Sequence, residues 1–287
     1  MILNENYELS NGVEIPKLGL GTWLIDNDDV AESVEKAIKM GYRHIDTAQA
    51  YENESGVGAG IKASGVEREK IFVTTKIAAE LKTYEEAAAS IDKSLSDMGL
   101  DYIDMMIIHS PKPWTEFHND DHYLEGNREV WRALEDAYND GKLRAIGLSN
   151  FEKVDIENIL ESCSVKPMVN QILAHIGNTP AELIKYTQNE GILVEAYSPI
   201  GHGKLFNQDK VVEIAEKYDV SVPQLGIRYD LQLGLLPLPK SSNPDHIKSN
   251  AELDFTISDQ DMEVLKSIEK IDYEDASMFP VYGGELN

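Results

Sequence analysis

Residues 71–109, IFVTTKIAAELKTYEEAAASIDKSLSDMGLDYIDMMIIH, carry the pattern that decides the fold. An apolar run at 71–77 is followed by a stretch of helical spacing at 83–98, and then by a second apolar run at 102–109. Within 83–98, Ala87, Ile91 and Leu95 fall four residues apart, which places them on one helical face. The unit therefore reads strand, helix, strand.

The same unit recurs in both directions. Apolar runs stand at 18–23, 44–48, 71–77, 102–109, 144–150, 168–172, 192–199 and 235–240. Stretches of helical period lie between or after them. In 28–40, Val30, Val34, Ala37 and Ile38 mark one face, and in 129–140 Val130, Leu134 and Ala137 do so. Others cover 153–162, 180–189, 208–218, 222–233, 243–251 and 258–269. Ahead of the first run, Tyr7, Leu9, Val13 and Ile15 flank Asn11-Gly12, which predicts a hairpin with a type I′ turn.

Eight strands alternating with helices fit a (β/α)8 TIM barrel. A doubly wound open sheet is the alternative. A dinucleotide-binding sheet of that kind usually shows G-x-G-x-x-G after its first strand. Here Gly19-Leu20-Gly21-Thr22-Trp23-Leu24 lacks the third glycine. The cluster Gly56, Gly58, Gly60 also misses that spacing and sits in a helical segment. No linker of Pro, Gly and Ser divides the chain, so one domain over 1–287 is expected.

Composition narrows the function classes. The 287 residues carry 26 Lys+Arg against 51 Asp+Glu, a formal charge of −25. Such a field disfavours nucleic acid and anionic membranes as partners. A solvated acidic surface accounts for it, with salt adaptation the alternative. The single cysteine, Cys163, allows no internal disulfide and no Cys-based zinc site. The first twelve residues lack a basic segment and an apolar core, and no apolar run approaches the ~20 residues that span a bilayer. A cytoplasmic protein, monomeric by default, is the expectation.

In a barrel, chemistry belongs at the C-terminal ends of the strands. The second run is followed by Asp46 and Tyr51, the third ends in Lys76 and the fourth in His109. Singly, each reads as a cap, a packing side chain or a rim residue. Together they form a device for delivering a proton. A phenol with a pKa near ~10 is a poor acid at neutral pH. A nearby ammonium assists it, and a carboxylate holds the ammonium in place. A histidine can hydrogen-bond a reacting carbonyl oxygen. No metal-ligand spacing is present that could polarise the carbonyl instead.

At these residues the chain resembles the aldo-keto reductase superfamily over nearly its whole length. The matching segments are Gly19–Trp23, Tyr42–Ala48 leading to Tyr51–Glu54, Val73–Lys76, Ile108-His109, Gly141–Phe151, Val169–Gln171, Tyr197–Pro199 and Pro239–Ser241. The resemblance implies a (β/α)8 barrel and reversible, NAD(P)H-dependent carbonyl reduction. It suggests the bacterial branch that reduces small dicarbonyls and diketogluconates. It makes Tyr51 the general acid, tuned by Lys76 and Asp46, with His109 orienting the carbonyl. Ser149, Asn150 and Gln171 would hold the nicotinamide carboxamide, and Tyr197 would stack on its ring. Thr22 and Asp46 would border the cofactor. Ser198, Ile200 and Gly201 would line the pyrophosphate, while Lys240, Ser241, Ser242, His246 and Asn250 would receive the adenosine phosphate end. Trp23 and Trp114, with Tyr51 and His109, would face the substrate.

The chain also departs from the family. Gln171-Ile172-Leu173-Ala174-His175 lacks the usual proline, so the loop after the sixth run is expected to differ. Ser110 follows His109 where many relatives carry Trp. His246 stands where an arginine is common. Arginine grips phosphate with a fixed charge, whereas histidine is near half-charged around its reference pKa of ~6.5. NADPH is the expected cofactor, with NADH also admitted. The tail 271–287, with Tyr273, Met278, Phe279 and Tyr282, reads as a mobile lid rather than a packed helix. Two further readings stay open. One is a non-catalytic, nicotinamide-binding redox sensor on the same scaffold. The other is a phosphate-handling barrel isomerase using Gly201-His202-Gly203-Lys204.

Overall fold

The protein is described here from a computed structural model covering residues 1–274 and 278–286. Two short strands, β1 (Asn6–Glu8) and β2 (Glu14–Pro16), form an antiparallel hairpin with Tyr7 opposite Ile15. The turn differs from the expected type I′. Gly12 has φ of +81°, but Asn11 is not among the residues of positive φ. Gly12 N–H donates to Leu9 O, and Leu9 N–H to Val13 O, leaving a three-residue loop with the left-handed position at Gly12 alone. Asn11 points elsewhere: its Nδ2 donates to Arg144 O at 2.9 Å and fastens the hairpin to the barrel.

The eight predicted apolar runs form one parallel sheet in chain order. Its strands are β3 (Leu20–Gly21), β4 (His44–Asp46), β5 (Phe72–Ile77), β6 (Ile103–Ile108), β7 (Leu143–Ser149), β8 (Val169–Leu173), β9 (Leu193–Tyr197) and β10 (Leu236–Leu238). Each pairs with its sequence neighbours, as βαβ crossovers require. A bridge between Gly21 and Lys240, with Gly21 N–H donating to Pro239 O at 3.0 Å, joins the first strand to the segment after the last. The sheet thus closes as a barrel. Every residue of β5 and β6 is buried, because one side of each strand meets the barrel interior and the other meets helices.

Helices alternate with these strands. They are α1 (Asn27–Lys39), α2 (Glu54–Ser64), α3 (Tyr84–Met98), α4 (Leu124–Asn139), α5 (Lys153–Leu160), α6 (Ala181–Asn189), α7 (Asp209–Lys217), α8 (Val222–Gln232), α9 (Pro244–Ser249) and α10 (Asp259–Lys266). The face read from α1 is the one it buries: Val30, Val34, Ala37 and Ile38 are all inside. The glycine cluster lies in α2 and serves packing. A Cβ on Gly56 would come 2.4 Å from Val30 Cγ1, and one on Gly60 would come 2.5 Å from Ala31 O, both on α1. Gly58 faces the end of α3, where a Cβ would stand 2.0 Å from Met98 O. These glycines let three segments approach at backbone distance.

Among the described residues of the tail, Phe279, Val281 and Tyr282 lie at the C-terminal ends of the strands. The tail's described residues hold a short 3₁₀ turn, Pro280–Tyr282, and no α-helix. Tyr273 and Tyr282 are buried. Residues 275–277 and 287, which the lid reading included, lie outside the described residues. Among the described residues, no helix is long and apolar enough to cross a membrane.

Candidate active site

Asp46 ends β4, and the chain then makes a 3₁₀ turn, Gln49–Tyr51, that carries the tyrosine back over the barrel mouth. Asn53 holds this turn. It is fully buried, its Nδ2 donates to the carbonyls of Thr22 and Ile25, and its Oδ1 accepts from Thr47 Oγ1 at 2.6 Å. Gln49 adds a second anchor, donating to Ser90 O and accepting from Ala78 N–H. Glu52 completes the reversal in the left-handed region, with φ of +55°.

Lys76 rises from β5 with 0% of its surface exposed. Its three ammonium hydrogens are all placed: on Asp46 Oδ1 at 2.6 Å, Thr47 O at 2.8 Å and Tyr51 Oη at 3.3 Å. Burial opposes this charge, but Asp46 and Tyr51 together outweigh it, and the lysine pKa is raised. The tyrosine differs from the expectation in its net direction. Burial is the largest influence and raises the phenol pKa, with Asp46 adding to it, while Lys76 acts downward as anticipated without reversing the balance. The ammonium thus offsets part of the penalty of burial.

His109 follows β6 and meets Tyr51 edge-on, with ring centroids 5.6 Å apart. Burial, with Lys76's charge beside it, holds its pKa well below the usual range. It is a neutral imidazole, able to donate one N–H and accept at the other nitrogen. Its Nδ1 is buried and has no partner among the described residues. Trp114 stands 5.2 Å from the His109 ring, Phe279 stands 4.8 Å from Trp114, and Trp23 stands 5.7 Å from Phe279. An aromatic box therefore surrounds the histidine and tyrosine.

These groups line a cavity of about 310 Å³. Thr22, Trp23, Asp46, Tyr51, His109 and Trp114 are on its walls. So are Ser149, Asn150, Gln171, Tyr197, Ser198 and Lys240. Lys76 lies beneath the floor. Asn150, at φ of +60°, donates to His109 O at 2.9 Å and accepts from Tyr197 Oη at 2.7 Å, tying three strand ends together. Gln171 Nε2 donates to Asp46 Oδ2 and Glu195 Oε2. Nothing among the described residues donates to its Oε1, which leaves an amide acceptor on a residue of the cavity wall. Lys204 is paired with Glu274, whereas Lys240, at the cavity lip, has no carboxylate partner among the described residues.

Other expected cofactor residues are not on the cavity wall. Ile200 and Gly201 sit on the adjoining strap, where Gly201, His202 and Gly203 are all left-handed. Ser241 is buried, its Oγ accepting from Asn243 N–H; Ser242 is exposed; His246 is exposed on α9; and Asn250 is buried at that helix's end. The loop after β8 holds His175. His175 takes the core, with Nδ1 on Ile176 O and Nε2 on Tyr273 Oη at 2.7 Å, so it anchors the tail.

Several residues of the cavity wall go beyond the site residues expected from sequence, where Phe279 and Tyr282 stand only as part of the tail lid. Phe279, Val281, Tyr282 and Glu80 line the cavity. Tyr282 Oη shares a hydrogen bond of 2.8 Å with Ser198 Oγ. Glu195 sits fully buried behind Gln171. The aromatic content of the tail was a signal for Phe279 and Tyr282; a lone acidic residue in VEAY gave little.

With this geometry in view, comparison with known proteins places the chain. The Aldo/keto reductase family pattern matches residues 17–270. The chain is 44% identical to glyoxal reductase of Bacillus subtilis (strain 168), over 93% of this chain and 94% of that one. It is 38% identical to glycerol 2-dehydrogenase (NADP(+)) of Saccharomyces cerevisiae, over 91% and 90%. A crystal structure of Bombyx mori aldo-keto reductase in complex with NADP superposes with a TM-score of 0.84 at 35% identity, covering 97% of this chain and 98% of that one. The chain belongs to the aldo/keto reductase family.

Proposed function

We propose that this chain, acting as one domain over 1–287, is an NADPH-dependent reductase of small uncharged dicarbonyls and aldehydes, with Tyr51 as proton donor. One observation carries the reading. A buried ammonium is shared between a carboxylate and a phenol, with a neutral imidazole across the cavity.

The cofactor fits the residues present. The free Oε1 of Gln171 suits the carboxamide, with Ser149 and Asn150 beside it. Tyr197 offers a ring face at the cavity wall. Ser198, Ile200 and Gly201 would hold the pyrophosphate. Lys240, without a carboxylate partner among the described residues, suits a phosphate, with Ser241, Ser242, His246 and Asn250 nearby in sequence. NADPH, when bound, supplies the hydride. The chain's own residues do the rest. His109 donates its N–H to the substrate oxygen and stays neutral. As negative charge grows on that oxygen, Tyr51 gives up its proton. The phenolate left behind faces the Lys76 ammonium, which Asp46 keeps in place.

The substrate end supports uncharged molecules over diketo-sugar acids. It is walled by Trp23, Trp114, Phe279 and Val281. Apart from Asp46, the only carboxylate on the wall among the described residues is Glu80, whose Oε1 accepts from Trp114 N–H at 3.4 Å. A second carboxylate entering here would meet like charge in an already acidic protein.

The test is turnover with NADPH on glyoxal, methylglyoxal, para-nitrobenzaldehyde and para-carboxybenzaldehyde, following loss of NADPH absorbance. Reduction of the first three, with the carboxylated aldehyde at least about tenfold poorer in kcat/KM, supports the reading. Binding of NADPH without turnover on any of them would favour the redox-sensing scaffold instead.

A further inference from the structure

Barrel interiors are usually filled by branched apolar side chains. Glu195, in the middle of β9, breaks that rule with 0% exposure. It lies directly across from Gln171 in the β8–β9 register. Its Oε2 accepts from Gln171 Nε2 at 2.7 Å. The same nitrogen donates to Asp46 Oδ2 at 2.9 Å, and Asp46 Oδ1 accepts from Lys76 at 2.6 Å. One unbroken chain of hydrogen bonds therefore runs from Glu195 through Gln171 and Asp46 to Lys76 and Tyr51. Glu195 Oε1 is buried and has no partner among the described residues. An ionised carboxylate rarely tolerates that, and a protonated one does so at less cost.

The surroundings agree. Burial, and then Asp46's negative charge, push the Glu195 carboxyl up to about 8, against the pull of the Gln171 bond and Lys76. Asp46 on β4 and Lys76 on β5 are the charged groups that act on it; β8 presents the Gln171 amide, and β10 pairs the apolar Leu236 opposite. With Glu195 protonated, Lys76 and Asp46 cancel and the buried group carries no net charge. With Glu195 ionised, the group carries one negative charge.

We propose that Glu195 is a positioning residue that fixes the Gln171 amide when neutral and, when it loses its proton at alkaline pH, places a negative charge behind the nicotinamide site that favours the oxidised cofactor over the reduced one. This rests on the NADPH-binding reading above. The oxidised nicotinamide ring is cationic and the reduced ring is neutral, so a buried charge on that side distinguishes them. The phosphates titrate alike in both forms, and their contribution cancels in a ratio of affinities.

The experiment measures dissociation constants of NADPH and NADP⁺ by fluorescence, from about pH 7 to about pH 9, for wild type, Glu195→Gln and Glu195→Leu. In wild type the preference for NADP⁺ over NADPH is expected to rise by about fivefold or more across that range, the usual scale of coupling between sites. In Glu195→Gln the ratio is expected to stay flat. The glutamine keeps an acceptor for Gln171, so it binds NADPH at pH 7 more tightly than Glu195→Leu does. A Glu195→Gln ratio that follows pH as wild type does would overturn the proposal alone. Failure of wild type to bind either cofactor would overturn it together with the functional reading it rests on.

Discussion

Replacing Lys76 by methionine removes the buried cation beneath the cavity floor and keeps an unbranched side chain only one atom shorter. Two separate consequences can be sized from the structure. The ammonium lies 3.3 Å from Tyr51 Oη. At an effective dielectric constant near 20, a unit charge at that distance contributes about 5 kcal/mol toward stabilising a phenolate. Its loss lets burial raise the phenol pKa further and makes proton release harder. Reduction of an aldehyde is expected to slow by ~10²–10⁴-fold in kcat, the usual range for general acid catalysis. The second consequence concerns stability. Asp46, 4% exposed, is left as a buried carboxylate with only Gln171 to answer it. Breaking a buried pair in this way costs ~3–5 kcal/mol. The double variant Lys76→Met/Asp46→Asn separates the two effects, because it removes the stranded charge but does not restore the ammonium. Urea unfolding should show the double variant regaining much of the lost stability, while its steady-state kcat stays at the level of the single variant. A Lys76→Met protein that is destabilised yet turns over within about threefold of wild type would mean that Lys76 serves the fold and not the phenol.

Three more outcomes are expected. Gly58→Ala puts a methyl group 2.0 Å from Met98 O, a backbone atom, so α2 and α3 must separate; a loss of ~1–3 kcal/mol in urea unfolding is the expected size, although alanine is the better helix former. Glu195→Gln is expected to stabilise the protein: the folded carboxyl keeps its proton up to about 8 while the unfolded one releases it near ~4.3, so native stability declines as pH rises through that window, and the gain in Tm from the glutamine should grow from about pH 4 to about pH 8 and then level off. His246→Arg, on the exposed face of α9, should tighten NADPH and leave NADH unchanged, as read by fluorescence titration with each; equal effects on both cofactors would mean the side chain does not face the ribose phosphate.

The barrel and the tetrad were legible because both depend on local order. Each apolar run declares its own strand, and chain order alone sets which strands are neighbours in a parallel barrel. Asp46, Lys76 and His109 close or follow such runs, so the rule that barrel chemistry sits at strand ends finds them together. What escaped depends on contacts between distant segments. The glycines of α2 miss the nucleotide-loop spacing and fall in a helical segment, but what they serve shows only once α1 and the end of α3 are seen pressed against them. Asn11-Gly12 fits a two-residue turn by composition, but the asparagine is drawn to Arg144 O, 133 residues away, and the loop takes a third residue. Glu195 is one acidic residue in the run 192–199, and nothing local marks it until its partners on β8 and β4 are in place. The tail's role at the cavity needs the His175–Tyr273 anchor, which joins residues 98 apart.

In the proposed mechanism Tyr51 supplies the proton. Single-turnover reduction of an aldehyde by enzyme preloaded with NADPH tests it most directly, comparing wild type with Tyr51→Phe and following loss of cofactor fluorescence. Tyr51→Phe removes only the hydroxyl that Lys76 contacts and leaves the ring against His109. The predicted result is an NADPH dissociation constant within about twofold of wild type and a rate lower by ~10²–10⁴-fold. A Tyr51→Phe enzyme that transfers hydride at near wild-type rate would contradict the claim and move the proton donor elsewhere in the cavity.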